Sequence, residues 1–299
     1  MNQLLKKIYW NVFSTHQWSI LYKLINSDDW IRLKQPKNVS RADPFIINEN
    51  NRSYIFFEEF DISKRHGYLC VGELNQDSKS LENVEVCLEK SYHLSFPNVF
   101  KHDDAYYMIP ESHENKTVDL YRFDEFPYKL VKVRTLIEDV EAVDSVVLFK
   151  DNLCYLFTTM LSKDSINHSG NLSLFISNDI LNKPFIEKHS NPVESSLKNS
   201  RMAGRFYKEN NKLYRVAQDC KLRYGYKVNI YQVDKLTQNQ YSESLIKEMP
   251  PPRGYIAFHT FNGYGDILMA DGKIILKSPK VLMNNIINLI SLKIKKFIT

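Results

Sequence analysis

The chain has few of the features that would place it in several common functional classes. Its four cysteines, at 70, 87, 154 and 220, form no CxxC pair and have no clustered histidines nearby. A disulfide framework and a structural zinc site are therefore not expected, and a reducing cytosol is the expected compartment. No apolar run is long enough for a membrane-spanning helix, and the N-terminus lacks the apolar core and cleavage site of a signal peptide. The formal charge of +5 suits a phosphate-bearing ligand or an anionic membrane surface. No basic run is dense enough for nucleic acid. The DxD triplet is also missing, which argues only weakly against a divalent metal clamp on a diphosphate and leaves metal dependence open; no metal-ligand set and no bound cofactor are assigned. Glycine is scarce, at 9 residues against 18 Tyr and 17 Phe. An aromatic-rich chain with short alternating runs favours β-structure.

Both ends differ from the middle. Residues 1–25 carry Leu4, Leu5, Ile8, Tyr9 and Phe13 at helical spacing beside Lys6 and Lys7. Residues 279–299 carry Ile286, Ile287, Leu289, Ile290 and Ile294, with Lys293, Lys295 and Lys296 near the tip. Each reads as a short amphipathic helix that either packs on the domain or rests on an anionic bilayer surface.

Between them, over 26–278, the sequence repeats. Four segments align: DPFIINENNRSYIFFEE from Asp43, FPNVFKHDDAYYMIPES from Phe96, DSVVLFKDNLCYLFTTM from Asp144 and AGRFYKENNKLYRVAQD from Ala203. Each holds a turn pair (Asn50-Asn51, Asp103-Asp104, Asp151-Asn152, Asn210-Asn211) followed by a tyrosine (Tyr54, Tyr107, Tyr155, Tyr214). Asn/Asp pairs between alternating runs signal hairpins, because these side chains tolerate left-handed turn geometry. A fifth, degenerate hairpin is placed in GDILMADGKIILKS with its turn at Asp271-Gly272. One hairpin plus further strands per repeat is the content of a propeller blade, so the expected fold is an all-β five-bladed β-propeller.

The register separates structure from chemistry. At the first position the repeats carry Asp43, Phe96, Asp144 and Ala203. The hairpin accepts Phe or Ala there, so the two aspartates are catalytic candidates, although Pro44 would equally suit a turn aspartate at 43. After the tyrosine strand come Glu58, Glu111, Thr159 and Gln218, polar at one equivalent place per blade. Equivalent positions should converge on the central axis, and converging carboxylates suit glycosyl transfer or hydrolysis. Asp43, Asp144, Glu58 and Glu111 are the candidate acid and base residues, with Glu59 a further possible acid. Arg201, Arg205 and Arg223 suit a phosphate through paired charge-assisted hydrogen bonds, or else belong to a solvated face. Gln218, Asp219 and Tyr226 are candidates for orienting sugars. His93 and His259, each just before an inner strand, are candidates for sugar or phosphate contacts.

The runs WSILY (18–22), RADPFIINENNRSYIFFEEF, YHLSFPNVFKHDDAYYMIPES, VDSVVLF, MAGRFYKENNKLYRVAQDCKLRYGYKV and FHTFN resemble the landmarks of one group. These are bacterial proteins similar to the N-terminal domain of plant glucosamine inositolphosphorylceramide transferase. The resemblance covers about 18–276 and implies a five-bladed propeller related to arabinanases, invertases and mannoside phosphorylases. In those hydrolases an ADPF-like start carries the base or nucleophile, which corresponds to Asp43. The plant proteins also have a separate glycosyltransferase domain, which is not found in this sequence. The expected activity is transfer of a sugar from a nucleotide-sugar co-substrate to a glycan acceptor, lipid-linked, in assembly of a surface polysaccharide such as O-antigen or capsule. The expected location is the cytoplasm, peripheral on the inner membrane. An intracellular glycoside hydrolase or phosphorylase, and a non-catalytic glycan-binding propeller, remain the alternatives.

Overall fold

The structure is a computed structural model and describes residues 14–277 apart from 167–168 and 189–190. Twenty-one strands and a single 3-10 turn at His113–Asn115 make up its regular elements. The strands form five sheets arranged as the blades of a propeller. Blade one runs outward from Val39–Glu49 through Arg52–Asp61 and His66–Asn75 to Ser80–Leu88. Blades two and three begin at Ser95–His102 and Ala142–Lys150 and repeat the order. In blade four the innermost strand is split into Arg201–Met202 and Tyr207–Glu209, both paired to Lys212–Asp219. Four of the turn pairs lie where expected: Asn50, Asn51, Asp103, Asp151, Asn152, Asn210 and Asn211 all adopt positive φ.

Blade five joins the two ends of the described chain. Its order is Phe261–Tyr264, Ile267–Lys277, Ser14–Leu24 and Ile31–Arg32, with Ser14–Leu24 antiparallel to Ile267–Lys277 along its whole length. Residues 14–24, assigned from sequence to an N-terminal amphipathic segment, are therefore a propeller strand. Trp18, Ile20 and Tyr22 share one face of it, a period of two rather than 3.6. The helices expected at 1–13 and 279–299 lie outside the described residues. Among the described residues no helix is long and apolar enough to cross a membrane.

The fifth hairpin turns at Gly265-Asp266, where Tyr264 pairs with Ile267, and not at Asp271-Gly272. Gly272 sits in mid-strand because a Cβ there would lie 2.4 Å from the Tyr255 ring. With this register Met269 replaces the repeat tyrosine. Asp271 then stands where the other blades bury Phe56, Ile109, Phe157 and Val216.

The core lies between blades. Ile20, Tyr22 and Met269 of blade five pack on Ile46, Ile55 and Phe57 of blade one. Tyr107, Ile109 and Leu120 of blade two pack on Leu156 and Phe175 of blade three. Each sheet buries both faces in this way, so apolar residues fill both sides of the second strand until its last, polar position near the axis.

Candidate active site

A bulge at the top of the innermost strand builds the site. In blade one the ladder runs through Phe45↔Phe56 and resumes at Ala42↔Glu58; blades two and three skip in the same way, before Ser95↔Glu111 and Val143↔Thr159. The repeat's first residue occupies the bulge with left-handed backbone: Asp43 at φ 53°, Phe96 at 45° and Asp144 at 51°. Aspartate tolerates this conformation, whereas phenylalanine rarely does. Phe96 is held there fully buried, edge-on to Phe45 at 5.0 Å. The turn role and the site role of the two aspartates thus coincide.

The bulge frees one backbone N–H per blade, and a carboxylate from the preceding blade accepts it. The Asp43 N–H donates to Asp271 Oδ2 (3.1 Å), that of Phe96 to Asp43 Oδ2 (3.2 Å) and that of Asp144 to Glu111 Oε2 (3.3 Å). Because the buried N–H groups need partners, these acids are tied into one ring from blade five to blade three.

On one side of the ring is an Asp43–His259–Asp271 group. Asp43 Oδ1 accepts the Thr260 hydroxyl at 2.7 Å and faces His259 Nε2 at 3.8 Å, while His259 Nδ1 donates to Asp271 Oδ2 at 2.5 Å. Asp271 also accepts the backbone N–H of His259 (3.0 Å) and of Thr260 (3.1 Å). Trp18 stacks on the His259 ring at 4.0 Å, and Tyr224 meets it edge-on at 5.3 Å. Burial works against a charged imidazole, but the Asp271 and Asp43 carboxylates outweigh it and hold His259 above its ordinary value. Burial pushes Asp43 up as well, opposed by His259. The Asp43, His259 and Asp271 ligand atoms lie within 4.8 Å of one another, compact enough for a metal. Asp271, however, already accepts four hydrogen bonds, the capacity of a carboxylate.

Opposite lies a second group. Arg201 pairs with Asp144 through Nε and with Glu111 at 3.6 Å, and its guanidinium lies 4.9 Å from the Tyr224 ring centroid. Gln218 Nε2 donates to Asp144 Oδ2 (2.9 Å) and to the Met202 carbonyl (2.8 Å). His113 Nδ1 sits 3.0 Å from Glu111 Oε1. Although burial opposes it, the His113 hydrogen bond and the Arg201 charge pull Glu111 down to about 2. For Asp144, burial dominates over Arg201 and drives its carboxyl upward.

Glu58 is the odd one. Its side chain keeps 14% exposure, more than Glu111 or Asp144, and its one basic neighbour among the ion pairs is His93 at 3.4 Å. Burial, and then the charges of Asp43, Glu111, Asp271 and Asp144, push it well above the ordinary glutamate range. The charges of Asp43, Glu111, Asp271 and Asp144 all acting on Glu58 accord with the convergence of these acids on one site. The backbone N–H of His93 donates to Glu114 at 2.9 Å.

The structure thus gathers Asp43, Asp144, Glu58, Glu111, His93, Arg201, Gln218 and His259. Of the rest of the expected set, Arg205, Asp219, Glu59 and Tyr226 have other partners, and Arg223 is exposed on the loop that follows Gln218. Arg205 is no phosphate ligand at a mouth: its guanidinium donates to the carbonyls of Ile46 (3.0 Å) and Val99 (3.1 Å), tying blade four to blades one and two, and burial lowers it to about 10. Asp219 accepts the Lys221 N–H at 2.9 Å and faces Lys227 at 3.6 Å. Glu59 is taken by Arg41 (2.7 Å) and Tyr68 (3.0 Å). Tyr226 lies beneath the exposed Arg223, 5.2 Å from ring to guanidinium, and Arg201 is committed to two carboxylates. Sequence reasoning missed Trp18, Thr260, Asp271, Tyr224 and His113. An aspartate in an otherwise apolar strand was the available signal for Asp271.

Gly225, next to Tyr224, adopts φ +58°, and a Cβ there would come within 2.6 Å of the His259 Cβ. Gly225→Ala is expected to cost about 1–2 kcal/mol from the left-handed backbone alone and to displace His259. A lowered Tm together with a shifted His259 imidazole resonance in NMR checks this.

The family described as "Glucosamine inositolphosphorylceramide transferase 1, N-terminal" matches residues 7–251. Among curated proteins, glucosamine inositolphosphorylceramide transferase 1 of Oryza sativa subsp. japonica is 33% identical over 68% of this chain and 27% of its own length. That of Arabidopsis thaliana is 28% identical over 76% of this chain and 29% of its own. The chain therefore spans less than a third of these relatives. Among solved structures, Zg3597, a family 117 glycoside hydrolase of Zobellia galactanivorans, superposes with TM-score 0.56 at 13% identity, covering 90% of this chain and 94% of its own. The catalytic domain of the Coprinopsis cinerea GH62 α-L-arabinofuranosidase gives 0.56 at 12%, covering 87% and 98%. At these identities the likeness shows the shared propeller fold alone.

Proposed function

The chain belongs to the family of the glucosamine inositolphosphorylceramide transferase 1 N-terminal region, and on that premise we propose that it is a glycosyltransferase whose site is the carboxylate ring at the propeller axis. The observation that carries this reading is the division of labour among the acids. Glu111 is held ionised by His113 and Arg201, Glu58 is pushed well above the ordinary glutamate range by burial and the neighbouring carboxylates, and Asp43 faces a histidine backed by a second aspartate. Titratable groups driven apart in this way are what acid–base chemistry requires. Asp43 takes the proton of the acceptor hydroxyl, and the Asp271–His259 pair stabilises and orients it. Glu58 donates a hydrogen bond, or its proton, to the leaving oxygen. Arg201 and Gln218 position Asp144 and Glu111.

The donor in this reading is a nucleotide sugar and the acceptor a lipid-linked glycan of surface-polysaccharide assembly, such as O-antigen or capsule. The names of the relatives, which join a sugar to a phosphorylated lipid, support the donor–acceptor class. A cytoplasmic site at the inner-membrane face would suit such an acceptor, and the lysine-tipped sequence at 279–299 supports it.

A second reading, hydrolysis or phosphorolysis of a glycoside, is favoured by the upward push on the Glu58 carboxyl, since an alcohol leaving group needs an acid and a nucleoside diphosphate hardly does. The two separate in one experiment. With Glu58→Gln, transfer from nucleotide sugars is expected to fall less than tenfold. If the protein instead cleaves alkyl glycosides, and Glu58→Gln lowers that cleavage by about 10²–10⁴-fold, transfer is the wrong reading.

A further inference from the structure

The corrected register of blade five places Lys273 opposite Ala257, the position held in the other blades by Glu58, Glu111, Thr159 and Gln218. The ring of polar side chains at the channel mouth therefore contains one cation. Lys273 pairs with Trp18 across the ladder, and its Nζ lies 5.3 Å from the Trp18 ring centroid, so the indole that stacks on His259 also touches the lysine. His16 projects from the same face two residues before Trp18, and the loop leaving Gln218 sets Tyr224, next to the exposed Arg223, edge-on to the His259 ring on which Trp18 stacks. The three feel one another. Burial and then Arg223 lower Lys273, while burial and then Lys273 and Arg223 lower His16.

Among the described residues neither Lys273 nor Arg223 has an ion-pair partner, although most other basic groups near the axis do. Arg201 is paired twice, and Lys227 meets Asp219 and Glu248. The charge of Arg223 acts on Lys273 with no acid paired to either, and a bound anion would relieve that repulsion. Of the carboxylates at the same mouth, Asp43, Asp271, Glu111 and Asp144 are taken up by backbone N–H groups, His259 and Arg201, and Glu58 is paired with His93, so none of them pairs with Lys273 or Arg223.

We propose that Lys273, Arg223 and His16 form a phosphate-binding subsite on the blade-four/blade-five rim, which takes the phosphate or diphosphate of the sugar substrate. The identity of the anion rests on the glycosyl-transfer reading; the subsite itself rests on the cations. Trp18 is its wall, shared with His259, so a sugar joined to the bound phosphate extends toward Asp43. Arg223 supplies a planar fork and Lys273 a point charge, a pairing suited to a phosphate with several free oxygens.

The test is calorimetric titration of the full chain with inorganic pyrophosphate, then with uridine diphosphate, alongside co-sedimentation with phosphatidylcholine vesicles containing phosphatidylinositol. Lys273→Gln/Arg223→Gln is expected to weaken pyrophosphate binding more than tenfold, and Lys227→Gln to leave it unchanged. Uridine diphosphate weakened in parallel identifies the source as a donor; vesicle binding weakened instead identifies it as an acceptor headgroup. Arg223 is exposed, so Arg223→Gln alone keeps the test valid if the double variant fails to fold. No pyrophosphate binding by the wild type, or equal affinity in wild type and variant, overturns the subsite. Charge-dependent binding without any turnover overturns glycosyl transfer and leaves the subsite standing.

Discussion

Asp43→Asn is expected to lower glycosyl transfer by about 10²–10⁴-fold without unfolding the protein. Asparagine tolerates the left-handed backbone that Asp43 adopts at φ 53°. Its carbonyl still accepts the Phe96 N–H, and the Thr260 hydroxyl can rotate to accept from its amide. What disappears is the base. The stability change has a definite sign. Burial holds Asp43 above the ordinary aspartate value, so the folded state binds this proton more tightly than the unfolded chain. The associated stability is complete below the unfolded value of 3.8 and is lost as pH rises through the folded value. Asparagine carries no such loss, and the variant is expected to match or exceed the wild-type Tm at pH 7. Steady-state kinetics and thermal denaturation on the same preparation check both parts. A variant that is inactive and also much less stable would make Asp43 structural rather than catalytic.

The second large effect is on stability. Arg201→Met is expected to cost about 3–5 kcal/mol, because it leaves Asp144 and Glu111 buried without their cation. Arg201 is only 4% exposed, and burial on this scale rules out compensation by solvent. Arg201→Lys should recover only part, since one ammonium cannot serve both acids in fork geometry. Glu111 also fixes the pH dependence. Its value, lowered to about 2 from 4.5, gives the wild type stability that is complete above 4.5 and lost as pH falls toward 2. The gap between wild type and Arg201→Met should therefore narrow over that range. Denaturant titrations at pH 7 and at pH 3 measure it. A difference below about 1 kcal/mol at pH 7, the range of a surface pair, would contradict the buried network.

The sequence carried the repeat, and with it both the fold and half of the site. Asp43, Asp144, Glu58, Glu111 and Gln218 came from asking which residues the hairpin does not need, and all five reach the axis. Blade five was misread because Asp271-Gly272 has the composition of a hairpin turn, while the actual turn, Gly265-Asp266, follows a strand of only four residues. That shift hid the two blade-five residues that matter most, Asp271 and Lys273. Trp18 was hidden for a related reason: the strand Ser14–Leu24 completes a blade whose other half is some 250 residues away in sequence, and no local pattern reports such a partner. Arg205 shows the converse limit. Its residue type suited a phosphate, but its partners are carbonyls on blades one and two, and only the closed ring brings them within reach. The capping of each bulge N–H by the preceding blade's carboxylate belongs to the same class of feature, because it joins neighbouring repeats and exists in none of them singly.

The most direct test of the carboxylate ring as a glycosyl-transfer site is release of nucleoside diphosphate from a panel of nucleotide sugars, with and without lipid-linked acceptor. The account predicts acceptor-dependent release from at least one donor by the wild type, and none above background from Asp43→Asn. Binding of a donor with no release under any acceptor, unchanged by Asp43→Asn, would contradict it.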